Sequence, residues 1–265
     1  MAGAEVDVTP AETIEDVVRL LTAVVDEARL TRHRRGFFAA IYRQMTLAVQ
    51  RGIADGVFDD GERMGSFVVT FANRYLGALA LCREGQKPTR AWNAAFECAE
   101  RRDRLILQHV VMGINAHVNL DLGVAASEVA GPGDQILALK PDFERINALI
   151  GGLLDPIQAA IGKFSPLLGL VWRLADKPDD EVLNFSFRVA REEAWKHALL
   201  LSRQPADDRP AVVDSFDRNA ALLARVVNDP GGLFGRGVLA TVRATERQDV
   251  PGVIDALLQA VAPTL

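Results

Sequence analysis

Apolar residues return at three- and four-residue intervals along almost the whole chain, and alternating runs are nearly absent. That period belongs to amphipathic helices, so the sequence predicts an all-α fold in which apolar stripes pack against one another. Thr13, with Asp16 three residues on, marks a helix start, followed by Ile14, Val17, Val18, Leu21, Val24 and Val25. A second helix fits Phe37 to Ile53 and closes near Gly56. Asp59 or Asp60 is placed to cap a third, whose stripe is Met64, Phe67, Val68, Phe71, Tyr75, Leu79 and Cys82. Gly85 and Pro88 end it, and Thr89 is placed to cap the next. That fourth helix opens with Trp92, Ala95, Phe96 and Ala99. It is expected to run on toward Asp121, with a kink at Gly113.

Gly123 to Asp134, with its Gly131-Pro132-Gly133 run, reads as the clearest long loop. Helical spacing resumes through Phe143, Ile146, Leu149 and Ile150, punctuated by Pro156 and Pro166. Asp179 or Asp180 can cap a helix through Phe185, Val189 and Ala194 to Leu201. Two more fit 208–228 and 233–246, and a short one ends the chain. No repeat or linker divides the sequence, and connections are short. The expected organisation is an N-terminal tail, 1–12, and a single multi-helix, bundle-like domain, 13–262, with a buried central helix.

Charge and composition narrow the classes of function. Thirty basic against 35 acidic residues give a net charge of -5, without the basic excess of a nucleic-acid binder. Cys82 and Cys98 are too few for a disulfide scaffold, lack zinc-ligand spacing, and read as core residues. The N-terminus has neither a basic nor an apolar signal region. No uninterrupted apolar run reaches the eighteen or so residues of a membrane span. A cytoplasmic protein without a membrane span is the expectation, its mean hydropathy of +0.09 reflecting buried helices. Nucleophile elbows, Walker loops and dinucleotide fingerprints are absent, which disfavours nucleotide-dependent and α/β-hydrolase chemistry.

One stretch departs from this average. Between Arg104 and Glu128 lie 23 residues carrying a single formal charge, Asp121, where a chain that is 25% charged would place about six. The stretch is expected to be buried, yet it holds Gln108, His109, Asn115, His117, Asn119 and Asp121. Buried polar groups left unpaired cost about 1–3 kcal/mol each, so these need partners in other helices or in a ligand. On a helix, His109, Gly113, His117 and Asp121 follow at four-residue steps and form one stripe, with Gly113 leaving room in its middle. Imidazoles and a carboxylate one turn apart suit one divalent metal such as Zn, Mn or Fe. Asn115 and Asn119 lie on an adjoining face, placed to orient a substrate. Extended, Asn115, His117, Asn119 and Asp121 would instead share one face of a strand.

The leading expectation is an enzyme whose buried site lies on this central helix: a metal-dependent hydrolase of a small substrate. His109, His117 and Asp121 would bind the metal or act as acid and base. Arg74, which also interrupts an apolar helix, would neutralise Asp121 or an anionic substrate. Asn115, Asn119, Tyr75 and Glu193 would contact the substrate, with His197 completing the site beside Glu193. The alternatives are a non-enzymatic helical protein binding an apolar or amphipathic ligand, or a structural polar network in which Asp121 pairs with Arg74. A haem held by one histidine is a further option. Asp59, Asp60 and Glu62 resemble a metal-binding run that helix capping explains more simply. His33, in Thr31-Arg32-His33-Arg34-Arg35, fits a surface turn or a phosphate contact. Oligomeric state is left open.

Phe71-Ala72-Asn73-Arg74-Tyr75-Leu76, Ala91-Trp92 with Ala95-Phe96, Leu107 to Gly123, Asp142-Phe143 with Ile146-Asn147, and Phe185 to Trp195 together resemble a predominantly bacterial family, domain of unknown function 5995. The resemblance covers about Thr13 to Leu258, and Asn115 to Gly123 is its most specific part. It implies a single domain and carries no assigned activity or catalytic residue. A looser similarity, of residue type and helical class, links the chain to zinc-dependent phospholipases C and nucleases. This chain lacks their full set of histidines and a secretory signal.

Overall fold

A computed structural model describes residues 10–174, 178–229 and 232–260, and their side chains except at 171–174, 178–187 and 232–236. Most of the expected tail, residues 261–262, the side chains of Asp179 and Asp180, and those of Phe185 and Phe187 lie outside what is described. Among the described residues every regular element is helical, as the period dictated.

α1 (Ile14–Leu30) begins with a reciprocal cap. Asp16 N donates to Thr13 Oγ1 at 3.1 Å, and Thr13 N donates to Asp16 Oδ2 at 3.2 Å. α2 (Arg35–Ala54) packs along α1 and ends at Gly56, whose φ of 69° is left-handed. α3 (Gly61–Arg83) starts at Asp60, which accepts from Arg63 N at 2.9 Å. By length and composition α3 could cross a membrane; here it packs on α1 and α2 and buries Met64, Phe67 and Tyr75.

The expected fourth helix is two helices, α4 (Arg90–Glu100) and α5 (Ile106–Ile114). Residues 100–104 are all charged, so a helix continued through them would have no apolar side chain to bury. Arg101 turns extended instead, and its guanidinium binds Asp103 two residues on, at 2.9 and 2.7 Å. The caps of both pieces come from distant chain. Thr89 precedes α4 but makes no side-chain cap. Asp217, from α10 (Arg209–Asn228), accepts from Arg90 N and Ala91 N, each at 2.9 Å. Ile106 N, at the start of α5, donates to the carboxylate of Glu246 at 3.2 Å. Both acids sit where a helix N-terminus favours negative charge.

α5 continues without a break into a π-helical segment, Asn115–Leu122, and then into α6 (Gly123–Ala130). The strand alternative therefore fails, and so does the long loop expected from Gly123. Gly123 is an approach point rather than a stop: a Cβ there would lie 2.5 Å from Ala194 O and 2.8 Å from His197 Cβ. Only Gly131 and Pro132 separate α6 from a 3₁₀ turn, Gly133–Leu139, which leads into α7 (Lys140–Gly162). α8 (Pro166–Leu174), α9 (Pro178–Ser202), α11 (Gly232–Thr245) and α12 (Val250–Gln259) complete the order. The π segment touches α3, α4, α9 and α10, and buries Asn115, Ala116, His117, Leu120, Asp121 and Leu122. The 105–127 stretch is thus the central buried element that its charge deficit implied.

Candidate functional site

The polar groups of the central element go to different neighbours. Asp121 is fully enclosed: Arg74 Nε donates to its Oδ1 at 2.8 Å, and Trp92 Nε1 donates to its Oδ2 at 2.7 Å. Burial pushes its pKa up to about 6, against the opposing pull of Arg74 and Trp92. Both oxygens are committed, and the ion pair ties α3 to the π segment. Asn115 donates to Ala220 O of α10 at 2.8 Å and accepts from Asn119 at 2.9 Å, so this pair ties the segment to α10. Gln108 donates to Val227 O at 2.8 Å and returns its Oε1 to Leu105 N, helping to start α5.

The expected stripe does not converge. Gly113 does leave space, but Phe38 of α2 fills it: a Cβ on Gly113 would stand 2.4 Å from Phe38 Cγ. His109 and His117 lie one turn to either side of that ring. His109 Nδ1 faces Cys98 Sγ at 3.6 Å, its ring meets Phe37 edge-on, and burial drives its pKa down to about 3. The same burial lifts the Cys98 thiol to about 11, which keeps it protonated and unreactive. Cys82 is only half-buried. Among the described residues, no three His, Cys, Asp or Glu side chains gather around one point. Glu193 is exposed and pairs with Lys196 at 2.5 Å, and His197 stacks on Phe216 at 3.7 Å, so neither reaches His117. Asp59 pairs with Arg145, and Asp60 caps α3. His33 bonds Glu100 at 2.9 Å.

His109 Nε2 and His197 Nδ1 are buried without a hydrogen-bond partner among the described residues, and His117 goes further. Its side chain is buried, and among the described residues neither ring nitrogen has a hydrogen-bond partner. The imidazole lies flat on Phe71, centroids 3.6 Å apart and planes 11° from parallel. Tyr42 meets it edge-on at 4.2 Å and Phe38 at 5.5 Å. Burial, reinforced by the positive charge of Arg191, holds its pKa well below 6.5, so the ring is neutral and offers one donor and one acceptor. The Tyr42 hydroxyl is also buried without a partner, and its pKa is raised by that burial. The Tyr75 hydroxyl shares this condition one turn along α3, its ring packed on Phe38 and Trp92.

His117 and Tyr42 border a cavity between α2, α3, α7 and the π segment, walled mainly by Phe38, Phe67, Phe71, Met45, Ile146 and Leu149. It offers about 80 Å³ to the centre of a water-sized sphere and opens partly to solvent. A water needs roughly 10–15 Å³ by the same measure, together with two to four polar partners, so this space suits an apolar occupant better than water.

The sequence singled out His117 but not Tyr42, Phe71 or Arg191, which line the same cavity. Arg191 was legible, because on α9 it lies three and four residues before the buried Ala194 and Trp195 and so shares their face. Tyr42 and Phe71 gave no such signal, since aromatic residues on apolar stripes read as ordinary core.

Fold and site together define an all-α protein threaded by a buried π-helical segment and carrying an aromatic-walled cavity. The chain belongs to a family of unknown function, DUF5995, whose profile it matches over residues 14–230. No curated protein and no solved structure matches it.

Proposed function

We propose that this protein is a binding protein for a small, largely apolar molecule carrying a polar group, held in the cavity beside His117. The observation that carries this reading is the His117 imidazole, with neither nitrogen partnered among the described residues, in the lining of an apolar space. A buried polar group normally finds a partner, and exceptions call for an explanation such as an absent ligand. Apolar walls with a few placed polar groups are what small-molecule sites are made of. The π-helical backbone agrees with this, because such segments concentrate at functional sites. Catalysis by a metal would need further ligands around His117, whereas its neighbours are aromatic rings.

Titration with the neutral fluorophore N-phenyl-1-naphthylamine tests the proposal, using protein refolded from denaturant so that co-purified molecules are removed. The expected result is saturable one-site binding with a blue-shifted emission. Ala48→Phe, which fills the cavity from a half-buried position on α2, should abolish it. Undiminished binding in that variant, or none in the unmodified chain, would overturn the reading.

A further inference from the structure

A second polar group reaches the same cavity. Arg191 of α9 lines it with only 4% of its surface exposed. Its Nε donates to Asn147 Oδ1, its Nη2 donates to Phe143 O at 2.7 Å, and its guanidinium carbon lies 4.5 Å from the Phe143 ring centroid. These contacts fasten α9 to α7, yet they use only one edge of the guanidinium. Among the described residues, nothing accepts a hydrogen bond from Nη1, and no carboxylate approaches Arg191 within 4 Å. The buried aspartates are treated differently. Asp121 has Arg74, Asp142 has Arg63 and Arg145, and Asp217 has Arg90. A charge withdrawn from water without a counter-charge is among the most unfavourable features a fold can carry. Arg191 nonetheless stays charged near neutral pH, with burial bringing it down only to about 10.

Resting on the cavity reading above, we infer that the occupant is an organic carboxylate: its anionic head meets Arg191 and His117, and its apolar body lies along Phe71 and Phe38. A guanidinium with a free Nη1 matches the charge and planarity of a carboxylate. Neutral His117 can add an N–H to the same head. A structural role limited to joining α7 and α9 would need only the two bonds already made, and an uncharged side chain would make such a junction with less penalty.

Calorimetric titration of octanoate and octanamide into the full-length refolded chain separates the two ideas. The pair shares an apolar body and differs in the charge of the head. Octanoate should bind at one site at least tenfold more tightly than octanamide, as expected of a charge-assisted bond. Arg191→Met should bring the two to within about twofold. Equal binding of both by the unmodified chain, alongside normal N-phenyl-1-naphthylamine binding, overturns the carboxylate inference and leaves the cavity reading standing. Failure to bind any of the three removes both. If Arg191→Met does not fold, the octanoate-to-octanamide ratio of the unmodified chain decides alone.

Discussion

Replacing His117 with phenylalanine should make the ligand-free protein more stable, and by a larger margin in acid. The substitution keeps the flat stack on Phe71 and the edge contact with Tyr42, at a position that lines the cavity. It removes one donor and one acceptor that have no partner among the described residues. An unsatisfied buried polar group costs about 1–3 kcal/mol, so at pH 7.5 the variant should gain on that order. Acidification enlarges the difference. In the unfolded chain His117 takes up a proton near pH 6.5, whereas in the fold its pKa lies well below that, so under pH 6.5 the unfolded state holds more protons. Stability supplied by the neutral ring is therefore complete above pH 6.5 and is lost as pH falls, at about 1.4 kcal/mol per pH unit. By pH 5 the loss is about 2 kcal/mol, and the phenylalanine variant escapes it. Urea unfolding of both proteins at pH 7.5 and pH 5 measures the two margins. A margin that stays constant between the two pH values, or a variant less stable at both, would show that His117 is partnered or hydrated in the fold and would refute the reasoning.

Two further substitutions probe the supports around the site. Arg74→Met leaves Asp121 buried with Trp92 as its sole partner and should cost about 3 kcal/mol, with most of it recovered in the Arg74→Met/Asp121→Leu double variant; additive losses in that thermodynamic cycle would contradict the ion pair. Asp217→Ala, which uncaps α4, should lower stability by about 1–2 kcal/mol in urea titrations, while Thr89→Ala changes it by less than about 0.5 kcal/mol; the opposite order would restore Thr89 as the cap.

Local signals were read well where the deciding contacts are local. Thr13 with Asp16, Asp60 before α3, and the left-handed glycines at 56 and 85 act within a few residues of themselves, so their roles follow from residue type and spacing. Thr89 and Gly123 mislead for the opposite reason. Asp217, 128 positions away, takes over the capping expected of Thr89, and Gly123 answers to the backbone at Ala194 rather than to its own neighbours. The stripe of His109, His117 and Asp121 was correct as a line along a helix and incomplete as a site. Convergence also needs open space between the groups, and Phe38 occupies it. The ion pair expected between Asp121 and Arg74 is present, at 2.8 Å.

By itself the sequence determined that this chain is helical, because period is written residue by residue. It also determined that residues 105–127 lie inside, because a stretch with one charge in 23 gains most from leaving water. Which polar groups in that stretch would find partners was decided only by tertiary structure. Asp121, Asn115 and Gln108 meet side chains or carbonyls brought in from 29 to 120 positions away, apart from one local bond each for Asn115 and Gln108. His117 meets aromatic faces and a cavity, and Arg191 arrives there from α9 with no carboxylate beside it among the described residues. Hydrogen bonds and counter-charges depend on distances between elements far apart in the chain, and no periodicity encodes those distances.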